Sequence, residues 1–444
     1  MVSLNVLAEL SVSGTPYTAG FAFEYGGKKY LAVVGAPRPG RDSVVIACID
    51  DRTVSAVTGI EDSECDIDGA RIIPINGSKY VIEGNILKIR VLYGRNASNE
   101  FVCAEYSINL DSMSGSMSVV WTRPISDENN VLKSAVIDEF GEVLLPIPDS
   151  ATVYILDLDT GEVKDSFDSG FDGYNPRASY KIKRIDSSYI ALFGRHLQGD
   201  PFYRFDRSAK SLTEIPGSSV GNDSPHPAAC EPYVSGGDVI YPATGATVEG
   251  SSPDLVWFDG SLNLLGKTDL SGLYANAHVY GMIIIGKLSN GNLACIMNVH
   301  DDHYNLATER RLIYAEISPS TWSIVGTTVL EETSSPLNLH LPFTNYYDRT
   351  GPVYVDVESK KVYAMLYSVG ENLIRLDEYD ISDLDVSEWN EWHALSTVPT
   401  APTGWECLQT LMDLMNTLMY LVLFILVLSL LVSSMREAKR PAEE

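Results

Sequence analysis

The sequence predicts an all-β fold, a seven-bladed β-propeller, followed by a single C-terminal transmembrane helix. Three observations predict it. Short apolar, Tyr-rich and β-branched runs alternate with Gly, Asn, Asp, Ser and Pro turns over most of the chain. That is the pattern of short strands, with almost no helical periodicity before Pro399. An acidic, strand-ending turn recurs at near-regular intervals, and one long uncharged apolar run lies close to the last residue. Six or eight blades would fit the same spacing.

From the N-terminus, residues 4–12 read LNVLAELSV and predict a strand that completes the last blade. Pairing strands from both ends of the repeat array closes the ring and removes an open sheet edge. The blades are expected at 17–62, 66–124, 130–170, 176–217, 226–272, 276–332 and 338–396. Strand-like runs inside them include Lys29–Val34, Ser43–Ile49, Val153–Leu158 and Val362–Tyr367.

The repeat is an aromatic or apolar residue, an apolar residue, then Asp or Asn opening a polar turn. It occurs as Cys48–Asp51, Tyr106–Asn109, Tyr154–Val163, Tyr203–Asp206 and Trp257–Gly260, and more loosely as Tyr314–Ser318 and Glu378–Ser382. Between Asp50 and Asp380 the mean step is about 55 residues, near the length of a four-stranded propeller blade with loop insertions. Asp or Asn suits this place because its side chain accepts hydrogen bonds from backbone N–H groups in the turn. Gly161 is expected to supply a positive φ.

The Tyr154–Val163 copy resembles the outer hairpin of PQQ-like and YVTN-type β-propeller repeats, in which a strand ends in an Asp-x-x-Thr-Gly turn. Here that turn is Asp157-Leu158-Asp159-Thr160-Gly161. The resemblance implies propeller architecture over about residues 17–395. No WD dipeptide closes the blades, which argues against the WD40 class. Asp157, Asp159 and Gly161 share features with a calcium loop, but the acidic ligand at the loop end is missing, so the turn reading is preferred.

Beyond the head (1–395) comes a Pro/Thr-rich stalk, 396–406, where Pro399 and Pro402 prevent a continuous helix. A membrane helix is expected within 407–435. Its uncharged run, Leu414–Met435, includes Tyr420 and Phe424. As a helix it would be roughly 33 Å long, enough to span a bilayer core. A charged tail, 436–444, ends the chain. Basic residues follow the run and none lies between Arg375 and Arg436. The positive-inside rule then places the tail in the cytoplasm and the head outside. The N-terminal residues lack a basic start and an uninterrupted apolar stretch, and so do not read as a secretory signal. That favours the opposite, tail-anchored orientation.

With 32 Lys and Arg against 59 Asp and Glu, the formal charge is −27. Such a chain repels the phosphate backbone, which excludes nucleic acid as a partner. Six cysteines in 444 residues exclude a disulfide-dense scaffold. Cys65 is a candidate to pair with Cys48 or Cys103. The densest polar cluster, His300-Asp301-Asp302-His303, is a candidate site for a divalent metal, with His340 as a further ligand. The bland reading is a polar loop of blade six. Asn76 and Asn96 head glycosylation sequons. Glu61, Asp62 and Glu64 read as acidic surface, and His196, His226 and His278 as isolated residues. Asp413, Asn416 and Thr417 either bond between helices, which would favour a homo-oligomer, or sit in the headgroup layer.

No Gly-rich phosphate loop, nucleophile elbow or metalloprotease signature is present in the sequence. The expected function is therefore surface recognition or adhesion, at a cell surface or on a virion envelope. Lipid would hold the helix, and a protein or glycan would meet the propeller loops. The alternative is an anchored propeller enzyme, a hydrolase, lyase or quinoprotein-like protein, with its site in the central funnel.

Overall fold

The computed structural model describes residues 2–13, 19–66, 70–75, 78–95, 98, 100–124, 136–137, 142–146, 151–170, 176–183, 189–195, 199–220, 224–226, 232–246, 255–301, 309–333, 352–368 and 372–393. The chain divides into two units, Met1–Ser396 and Thr397–Glu444. Leu414, Tyr420, Phe424 and Met435 lie outside the described residues. Among those described, no helix is long and apolar enough to cross a membrane.

The first unit is a seven-bladed β-propeller of antiparallel sheets. β1 (Ser3–Ser11) stands apart from blade one, which is β2 (Ala19–Tyr25), β3 (Lys28–Val34), β4 (Val44–Cys48) and β5 (Thr53–Ala56). Blade two is β6 (Ala70–Ile73), β7 (Val81–Glu83), β8 (Ile86–Arg95), β9 (Glu100–Asn109) and β10 (Ser114–Pro124). Blade three is β11 (Val136–Ile137), β12 (Glu142–Pro146), β13 (Thr152–Asp157) and β14 (Val163–Asp168). Blade four is β15 (Pro176–Lys183), β16 (Tyr189–Arg195), β17 (Phe202–Asp206) and β18 (Ser211–Glu214). Blade five is β19 (Ser224–His226), β20 (Tyr233–Ser235), β21 (Asp238–Ala246), β22 (Leu255–Asp259) and β23 (Leu264–Thr268). Blade six is β24 (His278–Leu288), β25 (Leu293–His300), β26 (Arg310–Ser318) and β27 (Ser323–Thr333). Blade seven takes β28 (Val353–Asp356), β29 (Lys361–Ser368) and β30 (Leu373–Asp380) from one end of the array and β1 from the other.

Two details differ from the sequence expectation. β31 (Val386–Trp389), expected in blade seven, pairs with β24 of blade six. The Glu378–Ser382 copy is not a hairpin, because the fourth strand of its blade is β1. In blades two and five the innermost strand is also split. β6 and β7 pair with successive parts of β8, and β19 and β20 do the same with β21.

The remaining copies join the third and fourth strands of blades one to six. The local chemistry explains the turns. The Asp157 carboxylate accepts from the Asp159 and Thr160 N–H groups at 3.0 and 2.8 Å. Asp206 accepts from Ser208 and Ala209, Asp259 from Ser261 and Asn263, and Asn109 from Asp111 and Ser112. Each turn then passes through positive φ: Met113 at 48°, Gly161 at 67°, Lys210 at 50° and Leu262 at 60°. The side-chain acceptors hold residues other than glycine in a conformation they rarely adopt.

Alternation along each strand gives both faces of a blade to its neighbours. Thus Leu293, Cys295, Met297 and Val299 of β25 pack against blade five, while Ala294 and Ile296 pack against blade seven. Similar cores join blades three and four, four and five, and seven and one. Blades one and two meet through Phe21 stacked on Tyr80, with ring centroids 4.9 Å apart. Blades two and three meet through Trp121, whose indole N–H donates to the Leu158 carbonyl. The ring is therefore closed by side-chain contact at every step.

Candidate functional site

The polar end of blade six, where β25 finishes, is the candidate site. His300 ends β25 and is fully buried, and Asp301 follows it half-buried. Asp302, His303 and His340 lie outside the described residues, as do Asn76 and Asn96. Strand register adds residues that sequence spacing had left apart. His300 is the cross-strand partner of His278 on one side and of Arg310 on the other. All three are buried, and they share the face whose neighbours Ile296 and Leu312 pack on blade seven. Asn298 lies two residues before His300 on the same face. It is fully buried, and neither amide atom has a hydrogen-bond partner among the described residues.

Blade seven meets this face with charge. Arg375 and Asp377 of β30 are 5% and 0% exposed, and Nε of Arg375 lies 2.6 Å from the Asp377 carboxylate. The same guanidinium donates to Glu331 of β27 at 2.6 Å, bridging the two blades. Burial alone would lower the Arg375 pKa; the Glu331 and Asp377 carboxylates outweigh it and raise the pKa above its ordinary value. The Tyr379 hydroxyl donates to Asp377, and burial pushes that phenol well above its usual range.

On the other side of blade six, the Arg311 guanidinium sits 4.5 Å from the centre of the Tyr274 ring. Burial pushes the Tyr274 phenol up to about 12, and the neighbouring carboxylates Glu309, Glu332 and Asp301 add to the shift. The side facing blade seven therefore carries imidazole, guanidinium and carboxamide groups in one buried set, and the opposite side carries a guanidinium over a phenol. Of the proposed metal donors only His300 and Asp301 are among the described residues. Among the described residues no group of three or more His, Cys, Asp or Glu is arranged to hold an ion, and Arg310 places a positive charge in the His278–His300 row.

Two sequence expectations are corrected. Asp62 is not surface but 7% exposed: it accepts from the Tyr93 hydroxyl at 2.5 Å and the Arg95 guanidinium at 2.8 Å. Burial would raise its pKa, but Tyr93, the Glu64 N–H and Arg95 pull it below the ordinary carboxylate value. Cys65 forms no disulfide with Cys48 or Cys103; all three are buried, as is Cys295. His278 and Arg310 were invisible as partners of His300 because only register brings them together.

No family model matches the sequence, and no curated protein does. Similar solved structures are remote. The β-propeller domain of Cps50 (Swd1) from Myceliophteria thermophila is 8% identical, covers 85% of this chain and 99% of its own, and gives a TM-score of 0.42. The S. cerevisiae core factor is 8% identical over 100% of this chain and 70% of its own, with a TM-score of 0.46. The dihydro-heme d1 dehydrogenase NirN is 11% identical over 86% and 68%, with a TM-score of 0.42. Likeness at this level assigns no activity to the chain.

Proposed function

We propose that this protein is a membrane-anchored propeller that recognises a protein or glycan ligand through its loops, at a cell surface or on a virion envelope. The observation that carries the reading is the uncharged run Leu414–Met435 after a repeat-built head. A run of that length is difficult to place in a soluble unit without exposing it. The Arg436, Lys439 and Arg440 side chains that follow favour a cytoplasmic tail and an outward head. A closed ring supports recognition because its sheets form a stiff frame while the connections between strands are open to variation. The head's acidic excess favours a partner with basic groups.

The test is extraction and protection of the full chain expressed in cells. It should stay in the membrane pellet through alkaline carbonate, and a chain ending at 396 should leave it. Protease added to intact cells should digest the head. Release of the full chain by carbonate would end the anchoring claim, and a head protected in intact cells would reverse the orientation. Turnover of a small substrate that survives substitution of the surface loops would favour the enzyme reading instead.

A further inference from the structure

After β30 the chain does not stop at the rim of the ring. Residues 386–389 add to the free inner edge of β24 in a short register: Gly286 with Trp389, Lys287 with Glu388, Leu288 with Val386. Gly286 permits this approach, since a Cβ there would lie 2.5 Å from the Glu388 carbonyl oxygen. Asn390 then fastens the segment to two blades. Its amide donates to the carbonyls of Pro232 in blade five and Ile284 in blade six, and its oxygen accepts from the Val234 N–H. A turn of 3-10 helix, Glu391–His393, follows.

The next contact fixes where this segment lies. The Lys79 ammonium, from the inner part of blade two, sits 5.4 Å from the centre of the Trp392 ring. Blades two and six are three steps apart in the ring. Inner residues of both meet one short segment only near the axis, so Val386–His393 crosses the axial end on the side where β24 finishes.

We propose that Val386–His393 is an acid-released strap, which covers one axial end of the ring at neutral pH and leaves it when His393 gains a proton. His393 is 3% exposed at the end of the strap. The ionisable groups on the elements packed around it are largely engaged with one another. Tyr233 of β20 donates to Glu388, Lys287 of β24 pairs with Glu388, Asp356 of β28 pairs with Lys29, and Glu391 accepts from the Gly236 N–H. Lys79 is the charged group that acts on the imidazole, and its sign opposes a further positive charge. Burial first, and Lys79 second, push the His393 pKa down to about 3, against the smaller upward pull of the hydrogen bond to the Ile284 backbone. A released histidine titrates near its ordinary value of about 6.5. The released strap therefore binds more protons between these values, and docking weakens as pH falls below about 6.5.

The test is amide hydrogen exchange on the full-length protein at pH 7.5 and pH 5.0, corrected for intrinsic rates, with β25 as the internal reference. Protection of 386–393 should drop roughly thirtyfold while β25 is unchanged, the factor set by an imidazole that titrates near 6.5 only when released. Gly286→Val, which crowds the strap at every pH, gives the fully released reading. Exchange of the His393 ring C2 proton, followed in the same samples, should titrate in step with strap release. Equal protection of 386–393 at the two pH values would overturn the proposal. So would an imidazole that titrates while the strap stays protected. His393→Gln should flatten the response if it docks at pH 7.5; a docked His393→Gln strap that still releases at pH 5.0 would also overturn it.

Discussion

A turn between the outer strands of a blade rests on single residues whose replacement has a calculable effect. Gly161 adopts φ of 67°, and a Cβ there would lie 2.6 Å from the Trp121 ring of the preceding blade. Gly84 has a similar φ of 64° but nothing within 4 Å. Gly84→Ala should therefore lose about 1 kcal/mol, the backbone cost alone. Gly161→Val should lose about 2–4 kcal/mol, because overlap with a buried indole adds to that cost. Urea midpoints of the two variants check this; equal losses would show that the Trp121 contact is not rigid. The neighbouring Asp157 gives a pH dependence. Its carboxyl is pulled down to about 2, first by Lys164 and then by the Thr160 donors. The folded value lies below the unfolded one of about 3.9, so its contribution is complete above about pH 4 and is lost as pH falls towards 2. Asp157→Asn should be less stable than the parent at pH 7 and equal to it at pH 2, by thermal melting at both pH values.

At the scale of elements, the seam between blades six and seven depends on charge that cannot be rehydrated. Arg375 and Asp377 lie on one strand, and Glu331 reaches them from the facing blade. Asp377→Ala leaves a guanidinium buried with half its partners and should cost about 3–5 kcal/mol. Lys28–Asp51, with both side chains nearly half exposed, is screened by solvent, and Asp51→Ala should leave the denaturation midpoint almost unchanged. Chemical denaturation of the pair of variants separates buried from solvated ion pairs. β1 tests closure itself. It supplies the fourth strand of blade seven through a ladder from Ser3–Asp380 to Ser11–Leu373. Deleting residues 2–12 should bare the β30 edge and increase self-association of the head. Light scattering checks this, and an unchanged particle size with an unchanged melting curve would count against closure by β1.

For the whole molecule, sequence and structure agree where the signal is local and part where it is not. Asp157, Asp206, Asp259 and Asn109 announced their hairpins because the acceptor, the turn and the strand before it lie within a few residues. The apolar strand of residues 4–12 announced closure because an array of hairpins needs one unpaired strand. The same locality hid the rest. The strap went unread since its anchors, Pro232, Ile284 and Asn390, are brought together only by the ring. His278 and Arg310 joined His300 only through register. One property belongs to no single residue: the excess of 59 acidic over 32 basic side chains. Most of that excess falls in the head, where it imposes self-repulsion that folding concentrates and salt screens. Raising ionic strength from about 0.01 to 0.5 M shortens the Debye length from about 30 Å to below 8 Å. The melting temperature should therefore rise by several degrees, and the gain should be kept in Asp51→Ala. In Asp377→Ala the gain should also persist, superposed on a lower baseline, since the buried Arg375 is not reached by bulk ions. A melting temperature that falls with salt would mean that surface ion pairs, not repulsion, dominate the electrostatics of the ring.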